Sequence, residues 1–141
     1  MSTRAAFIAG VAAVSATLRA ASAALALPAI TGDAEAAQRA IIAAILPFDD
    51  PTFAAHVDLE RVISRIGALF APLDDPAYRA AVLVIGSDQR GPAEAYRAWF
   101  SGDDERRRRF ALAAKSMAMI AVYSDAAIWP AIGYSGPVLR R

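Results

Sequence analysis

The chain has 141 residues, enough for one domain with a substantial core and too few for two ordinary ones. A net charge of +1 gives no electrostatic case for nucleic acid, and the absence of cysteine excludes disulfides, thiolate-held zinc, iron–sulfur clusters and CxxCH haem attachment. A composition 57% hydrophobic, with alanine dominant, favours helix over sheet.

The first segment has the layout of an export signal. Met1-Ser2-Thr3-Arg4 is a short basic start, and Ala5 to Ala16 is an unbroken apolar and small-residue run. Ala21-Ser22-Ala23 and Ala24-Leu25-Ala26 supply small residues of the kind a signal peptidase accepts. Residues 1–26 therefore read as an export signal directing the chain to the periplasm, with membrane association only through a partner complex or an uncleaved signal. The other reading is an Ala-rich helix of the folded domain. A membrane span needs about 20 apolar residues, and Arg19 interrupts the run. Thr3-Arg4-Ala5-Ala6-Phe7-Ile8 resembles a twin-arginine signal, Ser/Thr-Arg-Arg-x-Phe-Leu/Ile. Arg4, Phe7 and Ile8 match it, and Ala5 stands where the second arginine belongs. Arg19, behind the apolar run, disfavours the Sec route. Sec export, weak twin-arginine export and carriage by another chain all stay open.

Residues 27–141 read as one all-α domain, a compact bundle of about four to five helices with an extended aromatic C-terminal tail over 124–141. Asp33 caps a helix running to about Leu46, with Ile41, Ile42 and Ile45 on one face and Pro47 as the stop. Phe48-Asp49-Asp50-Pro51 reads as a turn. From Asp58, Leu59, Val62, Ile63, Ile66, Leu69 and Phe70 repeat at i, i+3, i+4, i+7, i+10 and i+11, the clearest amphipathic helix in the chain. A further helix starts at Pro76, a favourable first helical position, and ends at Gly86-Ser87-Asp88. Gly91-Pro92 opens a short segment bearing Tyr96, Trp99 and Phe100. Ser101 or Asp103 caps the last and longest helix, which reaches about Tyr123. Its second half is apolar nearly all round, so it belongs at the centre of the core or between the core and a neighbour.

Catalytic signatures are sparse. His56 is the single histidine, and no GxSxG nucleophile elbow or phosphate-binding glycine pattern is present. Asp49-Asp50, Asp74-Asp75 and Asp103-Asp104 lie beside proline, glycine or a helix start, where capping explains paired acids better than acid–base chemistry. Arg106-Arg107-Arg108-Arg109 spreads around a helix and reads as a solvated helix start, the sharper alternative being contact with an acidic partner or anionic lipid.

The tail carries Tyr123, Trp129 and Tyr134 among Pro130, Gly133, Gly136 and Pro137, a rigid aromatic surface of the kind found at interfaces. Either it seals this chain's own helices or it meets a partner. Tyr123-Ser124-Asp125, Trp129 and Ile132-Gly133-Tyr134-x-Gly136-Pro137 together resemble the ending of the gluconate 2-dehydrogenase subunit 3 family. "AIIAAILPFDD" at 40–50 and "WFSGDDERRRRF" at 99–110 resemble two earlier stretches of that family. Ala126 and Ser135 stand where proline is usual.

The resemblance implies a non-catalytic small subunit that assists export, maturation or stability of a large subunit. That large subunit would be an FAD-dependent dehydrogenase of the glucose-methanol-choline type acting on an alcohol or sugar, often passing electrons to a cytochrome c subunit. FAD would belong to the partner, with no cofactor, metal or catalytic residue in this chain. The docking surface would then comprise Met117, Ile120, Tyr123, Trp129, Pro130, Ile132, Gly133, Tyr134, Gly136 and Pro137. The competing reading is a free-standing exported helical protein binding a small apolar ligand in a pocket lined by Phe110, Met117 and Met119.

Overall fold

The computed structural model describes residues 3–28, 30–130, 132 and 133. It is all-helical, with seven α-helices among the described residues rather than four or five. They are α1 (Thr3–Ala23), α2 (Ala34–Ile45), α3 (Pro51–His56), α4 (Leu59–Phe70), α5 (Pro76–Gly86), α6 (Pro92–Ser101) and α7 (Glu105–Tyr123), with a 3₁₀ turn at Pro72–Asp74 between α4 and α5.

Aspartate sets most of the helix starts. Asp33, Asp50, Asp58, Asp75 and Asp104 each turn a side-chain oxygen onto first-turn N–H groups of α2, α3, α4, α5 and α7. Two sequence expectations change here. Phe48 to Pro51 is not only a turn, because Asp50 and Pro51 nucleate the six-residue α3. The cap of α7 is Asp104 rather than Asp103, and Ser101 instead closes α6. The β-branched stretch "AVLVIG" at 81–86 lies wholly inside α5, as the helix expected from Pro76 requires.

Helix α7 is the central post. It contacts α1, α2, α4 and α6, while α5 packs against α1, α2 and α6. Small residues make this possible, since Ala111, Ala113, Ala114, Ala118 and Ala121 are all buried and let neighbouring backbones come close. Phe110, fully buried on α7, meets Tyr78 of α5 and Trp99 of α6 with ring centroids 5.7 Å away in each case. Tyr96 donates its hydroxyl to the Ala111 carbonyl at 2.9 Å, so its polar end is satisfied inside the core. Burial pushes the Tyr78 and Tyr96 hydroxyls well above their ordinary titration range. At the α2–α5 crossing Gly86 lies against Ala37, where an added Cβ would approach the Ala37 Cβ to 2.7 Å.

One expected role does not survive this packing. Met117 is 0% exposed and belongs to the chain's own core, so it has no surface to offer a partner. Phe110 is likewise 0% exposed and lies in the same core cluster, with Met119 part-buried against it.

The export-like segment is helix α1. It is long and apolar enough to cross a membrane by length and composition, which is also the signature of a signal sequence. Its C-terminal half is nevertheless part of the core, with Leu18, Ala21 and Ser22 buried and the Ser22 hydroxyl donating to the Leu18 carbonyl at 2.7 Å. Near its start Arg4 is exposed, as are Phe7 (39%) and Ile8 (57%).

Candidate partner-binding corner

An α-helix ends with four carbonyls that have no partner within the helix. At the end of α7 the Ile120 and Val122 carbonyls accept from the Ser124 and Asp125 N–H groups, and the Ala121 and Tyr123 carbonyls accept from side chains. Asp58 starts α4 so that Arg61 and Arg65, four residues apart, share a face beside the α7 terminus. Arg65 donates from Nε to the Ala121 carbonyl at 3.1 Å and from Nη2 to the Ser124 hydroxyl at 2.7 Å. Trp129 turns back and donates its indole N–H to the Tyr123 carbonyl at 2.6 Å.

Asp125 completes the corner. It is buried at the negative end of the α7 dipole, where a carboxylate is unwelcome without a counter-charge. Arg61 supplies that charge through Nε on Oδ2 and Nη2 on Oδ1, the latter at 2.9 Å, and the Ala127 N–H adds a bond to Oδ1 at 3.1 Å. The Arg61 guanidinium, helped by the Ala127 N–H and by Arg65, holds the Asp125 carboxyl below its ordinary value against the opposing effect of burial.

The described part of the tail is therefore not an extended strand. It is a coil of tight turns, with Asp125, Ile128, Ile132 and Gly133 N–H groups bonding to the carbonyls of Val122, Asp125, Ile128 and Pro130. Ile128 is buried in the core cluster and Ile132 packs against it. Gly133 adopts φ +70, a left-handed conformation that glycine takes without a Cβ penalty.

What the corner shows to the outside is aromatic and apolar. Tyr123 is 48% exposed, and Ile120 and Trp129 are part-buried. Pro130 and Gly133 are exposed and Ile132 is part-buried. Of the expected interface residues, these six share the end of α7 and the turn beyond it, Met117 lies inside, and Tyr134, Gly136 and Pro137 fall outside the described residues. Arg61 and Arg65 were not singled out from the sequence, and Asp125 only as part of the tail pattern. Their only local signal is the i, i+4 arginine pair on α4, since the carboxylate they meet lies 64 residues from Arg61.

Elsewhere the chemistry-bearing residues serve the helices. His56 is exposed in the last turn of α3. Among the described residues no cluster of three or more His, Asp or Glu could hold a metal ion. In the arginine run, Arg107 sits over the Trp99 ring at 5.1 Å and pairs with Asp104, while Arg109 pairs with Glu105 one turn earlier. No family model, no curated protein and no solved structure matches this chain.

Proposed function

We propose that the chain is a non-catalytic small subunit that binds and stabilises an FAD-dependent alcohol or sugar dehydrogenase and assists its export or maturation. FAD would reside in the partner, and a cytochrome c subunit would complete the complex outside the cytoplasm, in the periplasm. The observation that carries this reading is the corner at the end of α7. Within the Tyr123-Ser124-Asp125 and Trp129 pattern that resembles the small-subunit ending, Arg65 holds Ser124, Arg61 holds Asp125 and Trp129 bonds the Tyr123 carbonyl, with the Tyr123 ring left exposed. A ring held on a rigid frame loses little conformational freedom on binding, which suits an interface anchor.

The test is affinity capture of the tagged chain from its native host, with a visible spectrum and mass spectrometry of the eluate. The expected result is a yellow eluate with flavin bands and a co-purifying large chain whose sequence carries a GxGxxG dinucleotide fingerprint. A colourless, monodisperse single chain would overturn the proposal.

A further inference from the structure

Phe7, Val11, Val14 and Leu18 fall at i, i+4, i+7 and i+11 of α1 and so form one stripe along one face of the helix. Burial along that stripe falls steadily toward the N-terminus. Leu18 is buried, Val14 and Val11 are part-buried against the core, and Phe7 is exposed. The bundle ends before the apolar stripe does. Ile8, beside Phe7, is the most exposed of the large exposed hydrophobic residues at 57%. Phe7, Ile8, Val11, Ala12 and Ala16 face Leu69 of α4 across an open cleft of about 430 Å³.

Charge indicates what covers this overhang. The first 32 residues contain Arg4 and Arg19 and no acidic residue. Arg19 lines the cleft itself, and Arg4 stands at the free end of the helix. Asp74 and Asp75 do not line this cleft; they line a neighbouring one that shares Ser15 and Arg19 with it. An apolar stripe whose own helix carries two arginines and no acid complements a surface that is oily beneath and anionic above.

We propose that the N-terminal half of α1 rests in the surface of an anionic lipid bilayer while its C-terminal half stays docked in the bundle. Burial decides between lying on the membrane and crossing it. The whole of α1 is long and apolar enough to cross, but a crossing would pull Leu18, Ala21 and Ser22 out of the protein core. The helix therefore lies in the interface of one leaflet, with Phe7 and Ile8 toward the acyl chains and Arg4 and Arg19 reaching lipid phosphates. This inference does not depend on the dehydrogenase reading.

The experiment is flotation of the full chain, its mass checked to confirm that α1 is intact, with vesicles of phosphatidylcholine alone or mixed with phosphatidylglycerol. The wild-type chain is expected to float with the mixed vesicles, at least about tenfold more than with the neutral ones, and to be partly released by salt. Phe7→Asp with Ile8→Asp is expected to lower flotation by about tenfold or more, with the circular dichroism spectrum unchanged because both side chains are exposed. No flotation, or equal flotation with neutral vesicles, would overturn the proposal. So would a soluble oligomer, formed without lipid and dispersed by the same double variant, because a second copy would then be the cover. A chain recovered from its host beginning after Ala23 would overturn it as well.

Discussion

Arg61 on α4 and Asp125, two residues beyond the end of α7, grip each other through two guanidinium–carboxylate hydrogen bonds across 64 residues of sequence. This contact fixes where the chain goes after its central helix. Asp125 is buried and Arg61 is half exposed, so the pair is solvated on one side only. Without it, the turn that carries Ile128 into the core and Trp129 back onto the Tyr123 carbonyl would lose its first anchor.

Asp125→Ala is expected to lower stability by about 2 kcal/mol, the range for losing an ionised carboxylate hydrogen-bonded to a guanidinium and a backbone N–H. Arg61→Ala should add little in that background, because its partner is already gone. Urea denaturation of the two single variants and the double variant checks this, and fully additive losses would show that the two side chains act separately.

Acid should dissolve the same contact. Because Arg61 holds the folded Asp125 carboxyl below the ordinary aspartate value of about 3.9, the native state favours the ionised form. The resulting stability is fully present above the unfolded value and disappears as pH falls through the lower folded value. The stability difference between wild type and Asp125→Asn should therefore be flat from neutral pH to about pH 5 and shrink below about pH 4. Denaturation midpoints measured across that window decide the point, and a difference that persisted at pH 2 would contradict it.

The local elements were legible in the sequence because their causes are local. Asp33, Asp58 and Pro76 mark helix starts through their own first turn, and the isoleucine and valine spacing of α2 and α4 announces their buried faces. The short α3 escaped, although Asp50-Pro51 is a proper start, because none of its residues is buried and no apolar period runs through it. Ser101 and Asp103 were the expected caps of α7, and the adjacent Asp104 took the role because capping chemistry does not distinguish neighbouring aspartates before the backbone is placed. The clamp at the end of α7 was illegible for a different reason. Arg61 and Arg65 look like solvated residues on the polar side of α4 until the fold brings Asp125 and Ser124 to them. Met117 was assigned to the surface because α7 is apolar nearly all round, and periodicity cannot rank its faces when every face qualifies.

Two glycines test the packing with opposite signs. Gly86→Ala should destabilise by about 2 kcal/mol, since its Cβ would meet the Ala37 Cβ at 2.7 Å and force α2 and α5 apart. Gly67→Ala, an exposed position within α4 where an added Cβ meets nothing within 4 Å, should stabilise by about 0.5–1 kcal/mol through helix propensity. Thermal melts of both variants check the pair, and a stabilising Gly86→Ala would mean the α2–α5 approach is looser than described.

Trp129→Phe keeps an aromatic ring but removes the indole N–H that caps the Tyr123 carbonyl. It is expected to cost about 1 kcal/mol of stability and to leave helix content unchanged. Recovery of the flavin-bearing partner in affinity capture should fall by more than that stability loss explains. Equal losses in both would mean that the tryptophan seals only its own chain.

The most direct test of the docking corner is hydroxyl-radical footprinting of the chain alone and in its captured complex. Tyr123 is 48% exposed in the free chain and Leu112, three turns earlier on α7, is 46% exposed, so both should be oxidised readily without a partner. The complex is predicted to protect Tyr123 and Trp129 and leave Leu112 as reactive as before. Undiminished oxidation of Tyr123 in a flavin-bearing complex would contradict the account and place the partner on another face.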